Sequence, residues 1–389
     1  MELALLFLLL PVAAASGWWY AKRSLQQGQN GQRPGLSSDY FTGLNYLLNE
    51  QPDKAVDVFI KMLEVDSETV ETHLALGNLF RRRGEGDRAI RIHQNLIARP
   101  TLTREQRAQA LFELGKDYMR AGFLDRAENL FLELADDKTH KSTALANLLD
   151  IYQQEKEWEK AIATARNIEA STGKRMSVMI AQFFCELADI ADAEGEKKLA
   201  MKNLKLALSH DKNCVRANLL IGVLERSAGN CRAAIKAYKQ IEQQDPDYLS
   251  EVIEPMLDCY HSLGKTDEMK DYLKHIESNH GGIASTLALT ELTRLREGDD
   301  AAIKTIVASL RQKPTVAGLH RLIELKLVSS QGAERDNLLT LKELTSKLME
   351  HHHLYQCNHC GFTGKTLHWQ CPTCRKWCTI KPMLTDDTE

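Results

Sequence analysis

The chain opens on a charge-free apolar run, crosses a stretch with no apolar period, and then keeps a helical rhythm for most of its length. From Leu3 to Ala21 there is no charged residue, and at about 1.5 Å per residue this run spans about 28 Å as a helix, one hydrocarbon core. Trp18, Trp19 and Tyr20 close it as an interfacial aromatic belt, and Lys22 and Arg23 follow at once. Basic residues on that flank place everything after Lys22 on the cytoplasmic side, with the short amino-terminal tip outside. A cleaved signal peptide is the rival reading, because Ala13-Ala14-Ala15 supplies small residues. It is disfavoured by the lack of Lys or Arg before the run and by the bulky Trp18-Trp19 pair. Pro11 is tolerable in a membrane helix. Residues 1–21 are therefore expected to be an uncleaved single-pass anchor. Residues 22–36 are expected to be a flexible linker, since Ser24 to Ser38 reads SLQQGQNGQRPGLSS.

Beyond the linker the sequence repeats. Gly43, Tyr46, Ala55 and Phe59 set a pattern that recurs thirty-four residues later as Gly77, Phe80 and Ala89. Gly115, Tyr118, Ala127 and Phe131 give a third copy after a four-residue insertion around Leu102 to Gln106. Tyr152 and Ala161 mark a fourth, Ala188, Ala200 and Leu204 a weaker fifth, and Gly222, Ala234 and Tyr238 a sixth. Further copies are worn, but Gly264, Gly298 and Gly332 keep the interval of thirty-four. This is the tetratricopeptide period, two helices per repeat. The small residues let the paired helices approach, and the aromatic slots are expected to fill the gap to the next repeat. The glycines between the helices, Gly84 and Gly122 among them, are expected to accept positive φ. The prediction is an all-α, right-handed superhelical solenoid over residues 37–350, of about nine repeats with the last three degenerate. Each repeat would touch only its neighbours and leave a long groove for a protein partner.

Chemistry is sparse in this region. There is no glycine-rich phosphate loop, no GxSxG and no HExxH, so an enzyme is not expected. His73, His93, His210 and His275 stand alone and are read as core or surface residues. The runs Arg81-Arg82-Arg83 and Glu194 to Lys198 fall at turns, where solvated helix ends explain them, although the arginines could meet an acidic partner or lipid head groups. A net charge of −3 over 389 residues favours no nucleic-acid partner for the whole chain.

The carboxyl-terminal residues 351–389 differ in kind. Cys357 and Cys360, then Cys371 and Cys374, form two CxxC turns ten residues apart. Four thiolates at this spacing suit one tetrahedral Zn²⁺ or Fe with no open position, a structural site rather than a catalytic one. Gly361 supplies the freedom that the first turn needs. Of the nine cysteines, Cys185, Cys214, Cys231 and Cys259 are scattered singly as small buried residues, and Cys378 is a spare thiol with a weaker claim as a ligand. An odd count without a disulfide framework fits a reducing compartment. Between His351 and Thr385 there is no acidic residue, while Lys365, Arg375, Lys376 and Lys381 offset the thiolates. Tyr355, Phe362, Trp369 and Trp377 are expected to pack around the knuckles or against the last helices. The competing reading makes them stacking platforms for RNA. His351-His352-His353 is read as the end of the last helix.

The tail pattern Tyr355-x-Cys-x-x-Cys-Gly-Phe362, then Leu367-x-Trp369-x-Cys-Pro-x-Cys-x-x-Trp377, resembles the lipopolysaccharide assembly protein B family of Gram-negative bacteria. The resemblance extends over the anchor, the repeats and the rubredoxin-like tail. It implies a cytoplasmic adaptor held to the inner membrane that promotes degradation of the deacetylase LpxC by the membrane protease FtsH, alongside other lipopolysaccharide-assembly proteins. The family's four metal ligands carry over to Cys357, Cys360, Cys371 and Cys374, with Cys378 outside the motif. Homodimerisation stays open. Two other classes compete: a rubredoxin-like electron carrier, for which no flavin or second cluster motif is present, and an RNA-binding scaffold.

Overall fold

The computed structural model describes residues 38–49, 51–65, 70–350 and 354–383; the expected anchor and linker lie outside them. Among the described residues no helix is long and apolar enough to cross a membrane. Eighteen helices occur there as nine consecutive pairs. They are α1 (Ser38–Leu48) with α2 (Pro52–Val65), α3 (Val70–Arg82) with α4 (Gly86–Ile97), and α5 (Arg104–Ala121) with α6 (Leu124–Ala135). Then come α7 (Lys141–Glu155) with α8 (Trp158–Thr172), α9 (Ser177–Ala193) with α10 (Lys197–His210), and α11 (Val215–Ser227) with α12 (Cys231–Gln244). The last three pairs are α13 (Ser250–Ser262) with α14 (Thr266–Asn279), α15 (Ile283–Glu297) with α16 (Asp299–Gln312), and α17 (Val316–Ser329) with α18 (Gly332–Glu350). The chain divides into two compact units, residues 1–151 and 152–389.

In the first unit, the core of the first two pairs is Ala55, Val56, Phe59, Leu76, Leu79, Phe80 and Ala89. Gly43, Gly77 and Gly115 of its first helices each have one specific neighbour, the ring sixteen residues on in the same pair. A Cβ built on Gly43 would lie 2.6 Å from Phe59, and one on Gly115 would lie 2.7 Å from Phe131. The aromatic slot therefore fills the space above its own repeat's glycine, and Phe59 also joins Leu76, Leu79 and Phe80 of the next repeat in one core. Replacing Gly115 by Leu should cost about 1–3 kcal/mol through overpacking. Because coupling runs between neighbours, hydrogen exchange should accelerate first in α3 to α6. A change spread evenly over all pairs would contradict this packing.

The second pair breaks the aromatic rule and explains a charge run. His93 occupies the ring position over Gly77, fully buried, with Nδ1 2.5 Å from Asp117 Oδ2. Arg81 reaches the same carboxylate at 2.7 Å and Glu113 at 2.5 Å. Burial raises the Glu113 carboxyl, but the hydrogen bonds from Lys116 and Arg81 outweigh it and hold the group below its ordinary range. Arg83 pairs with Asp53 at 2.6 Å and Glu85 at 2.9 Å. Arg82 and Arg83 are exposed and fit a solvated end, Arg83 with surface ion pairs. Arg81 is a structural charge committed to a carboxylate pair on the next repeat.

In the second unit, residues from α11 to α15, including Tyr238, Tyr248, Val252, Met256, Leu273 and Leu289, make one cluster against which Leu367 and Trp369 of the tail also pack. The turns between paired helices use positive φ as the sequence implied, with Gly195 at 82° and Gly229 at 79°. Lys156 takes this conformation between α7 and α8, at φ 59°.

Candidate metal centre

The tail folds as a three-stranded antiparallel sheet in the order β2-β1-β3, with β1 Tyr355–Cys357, β2 Thr363–Gly364 and β3 Ile380–Pro382. Cys357 faces Ile380 across the sheet. From these strands hang two knuckles with one backbone plan. In the first, the Cys357 amide donates to Phe362 O at 2.7 Å and the Gly361 amide to Cys357 O at 2.9 Å. In the second, the Cys371 amide donates to Lys376 O at 2.9 Å and the Arg375 amide to Cys371 O at 2.8 Å. The residue after the second cysteine turns left-handed in both, Gly361 at φ 76° and Arg375 at φ 55°. Glycine was legible at the first position. The strained arginine at the second was not, because only the symmetry of the two turns reveals it.

The knuckles bring four sulfurs together. Those of Cys357, Cys360, Cys371 and Cys374 all lie within 4.8 Å of one another. Cys357 and Cys374 are 3.8 Å apart and Cys360 and Cys371 3.6 Å apart. Sulfurs at about 2.3 Å from one tetrahedral ion stand about 3.8 Å from each other, whereas a disulfide closes to about 2.05 Å. The donor set fits one tetrahedral ion. The Phe362 amide pulls the Cys360 thiol down, but desolvation and the sulfurs of Cys371, Cys357 and Cys374 outweigh it and push that thiol up to about 12, a crowding of like charge that a cation would relieve. At Cys357 burial acts upward too. Thr379, 3.3 Å from Sγ, and the Cys360 and His359 amides outweigh it and bring that thiol down to about 6. Cys378 stands outside the cluster. Its amide donates to Trp369 O at 2.8 Å, and burial pushes its thiol up to about 12.

The aromatics of the ribbon belong to its docking. Trp369 stacks on Tyr248 with ring centroids 5.5 Å apart, and Trp377 stands edge-on to Trp158 at 6.2 Å and Phe183 at 5.9 Å. Polar contacts fix the register. Trp377 Nε1 donates to Gln153 Oε1 at 2.9 Å, Tyr355 Oη to Glu251 Oε1 at 2.9 Å, and Tyr248 Oη to the Ile380 carbonyl at 2.7 Å. Burial raises the Glu251 carboxyl against the hydrogen bonds from Tyr355 and Ser250. Lys381 pairs with Asp245 and, at 3.1 Å, with Asp247. Arg216, buried and paired with Glu186 at 2.8 Å and Asp189 at 2.6 Å, lies over the Trp369 ring. The seat therefore runs from the end of α7 to the start of α13, not along α17 and α18, which corrects the expected packing against the last helices. Its residues come largely from the first helices of successive pairs. Sequence reasoning missed Gln153, Arg216, Tyr248 and Glu251 because each looks like an ordinary helix or turn residue. Lys381 also answers to acidic residues of the repeats, beyond offsetting thiolates.

Residues 355–382 match the Rubredoxin metal binding domain model, and residues 72–108 and 112–173 match tetratricopeptide repeat models. Over 382 residues the chain is 42% identical to lipopolysaccharide assembly protein B of Escherichia coli (strain K12), covering 98% of each chain. The chain belongs to the lipopolysaccharide assembly protein B family. The relative of that name from Haemophilus influenzae is 37% identical, over 98% of this chain and 99% of its own. Likeness to solved structures is weak. A crystal structure of MamA aligns at a TM-score of 0.34 and 19% identity, covering 46% of this chain and 96% of that one. For a member of the lipopolysaccharide assembly protein B family, the site is thus a ribbon with a four-cysteine cluster, seated on tetratricopeptide repeats.

Proposed function

We propose that this chain is a non-enzymatic adaptor of lipopolysaccharide assembly, tethered to the bacterial inner membrane through residues 1–21, with its bulk in the cytoplasm. In this reading it promotes degradation of the LpxC deacetylase by the FtsH protease. The observation that carries it is full-length identity to relatives named for lipopolysaccharide assembly, and a repeat array suited to holding protein partners supports it. Cys357, Cys360, Cys371 and Cys374 hold one Zn²⁺ or Fe. The metal, when bound, supplies a closed tetrahedral cross-link between the knuckles. The ribbon's side chains do the rest: they orient it on α7 to α13 and give the adaptor one fixed surface.

The tether acts through effective concentration, since two partners on one membrane meet more often without any added contact. Deleting residues 1–20 should release a folded protein that regulates poorly, so that LpxC accumulates at native expression of the truncated form. Immunoblotting of LpxC with FtsH present checks this. Normal LpxC levels in the truncated strain, or a reporter fused after Glu389 that works only in the periplasm, would contradict the proposal. Metal analysis of protein made in the cytosol separates the two ions, because zinc at one equivalent brings no visible absorption.

A further inference from the structure

The buried alanine near the start of each second helix gives the repeats a common register. In α10 and α12 it is Ala200 and Ala234, both fully buried. Two places before it, two after it and five after it stand Lys198, Lys202 and Lys205 in α10, and Arg232, Lys236 and Lys239 in α12. The triplets are thirty-four residues apart, so they hold the same slots of adjacent repeats. Their i, i+4, i+7 spacing sets each triplet on one face. That face is opposite the buried Ala200, Leu204 and Ala207 of α10, and opposite Ala234, Tyr238 and Ile241 of α12. All six are exposed except Lys239, which is half-buried with Nζ 4.8 Å over the Tyr272 ring.

Among the described residues none of the six forms an ion pair. The neighbouring second helices differ: Lys160 of α8 pairs with Glu157 at 2.6 Å and Lys270 of α14 with Glu297 at 2.6 Å. Repeat packing does not ask for cations in these slots, which hold Asp125, Asn129 and Leu132 in α6 and Glu159, Ala163 and Arg166 in α8. No acidic residue lies in α10, and Glu242 of α12 is engaged by Tyr272 at 3.1 Å and His275 at 2.9 Å. Six unpaired positive charges side by side, in a chain of net charge −3, call for an anionic surface. Five of them are lysines, point charges on flexible stems without the planar fork by which arginine grips one chosen group. Such an array reads charge density and not sequence, which suits the phosphates of an anionic bilayer. Beside the second triplet a hollow of about 350 Å³, lined in part by Ile235 and Leu263, gives a headgroup room to settle. We propose that the outer face of α10 and α12 lies on the anionic cytoplasmic leaflet, held by lipid phosphates. This rests on the tether proposed above for the nearness of that leaflet.

Lysine acetylation of the full chain in lipid nanodiscs, read residue by residue by mass spectrometry, tests this. Discs of phosphatidylcholine alone are compared with discs of equal phosphatidylcholine and phosphatidylglycerol. Lys198, Lys202, Lys205 and Lys236 should react about tenfold more slowly on the anionic discs. High salt should abolish the difference, because screening cuts the reach of these charges to about 3 Å at 1 M. Lys202→Glu with Lys236→Glu should remove the protection of Lys198 and Lys205, with helical circular dichroism and metal content unchanged. Retention of the chain on neutral discs reports the tether by itself. Equal reactivity of the four lysines on both kinds of disc overturns the proposal, whether or not the tether holds. So does protection that persists in the charge-reversed variant. Protection by soluble polyglutamate but not by anionic discs also overturns it, and assigns the face to an acidic protein segment.

Discussion

Cys357→Ser and Cys374→Ser should each lose the metal and unfold the ribbon, while the repeats keep their helical circular dichroism. The reason is the balance of charge at the cluster. Four sulfurs within 4.8 Å of one another cannot all ionise without a cation, and with one thiolate gone water must complete the tetrahedron, which holds the ion less tightly and leaves the knuckles cross-linked at one point fewer. Structural zinc contributes about 10–16 kcal/mol of apparent binding energy in small modules, and in a tail with so little core that energy is folding energy. Three cluster or sheet residues, Cys357, Cys371 and Ile380, are its buried apolar centre. Cys378→Ser should keep the metal, because that thiol lies outside the four-sulfur cluster. Metal content by mass spectrometry decides the matter. Retention of stoichiometric metal in Cys374→Ser together with its loss in Cys378→Ser would mean that the ligand set is wrong.

The repeats were legible because their information is local. A glycine sixteen residues before a ring, an alanine in a fixed slot and a glycine at most inter-helix turns recur within one pair, so a period of thirty-four exposes them. The four cysteines were legible for the same reason, since each CxxC is a single turn. What stayed hidden depends on distance along the chain. Trp377 and Gln153 are 224 residues apart, and nothing around Gln153 marks it as an acceptor. His93 illustrates a second limit. It looked like a lone histidine because its partner Asp117 lies on the next repeat, and because a histidine can replace the ring over Gly77 only when that buried carboxylate answers it. The same holds for Arg81, whose place in a charge run suggested solvent while its partners sit 32 and 36 residues on.

Separating the ribbon's folding from its docking gives the other large effect. Trp377→Ala should leave the metal bound and free the ribbon from its seat. Trp377 is held by two rings, Trp158 and Phe183, which themselves stack at 5.6 Å, and by its bond to Gln153. Truncating a packed tryptophan costs about 3–5 kcal/mol, and here the loss falls on an interface inside the second unit, not on the knuckles. Adding Trp369→Ala removes the stack on Tyr248 at the other end of the seat. The two sites share one rigid ribbon, so the double substitution should cost less than the sum once the first has undocked it. Limited proteolysis should then cut the chain between α18 and β1 much faster than in the wild type, with metal content unchanged. Under the proposed adaptor role, these variants and the ligand substitutions should both raise LpxC if the ribbon must be in place and not merely folded. Loss of metal in Trp377→Ala would show instead that docking and metal binding are one folding event.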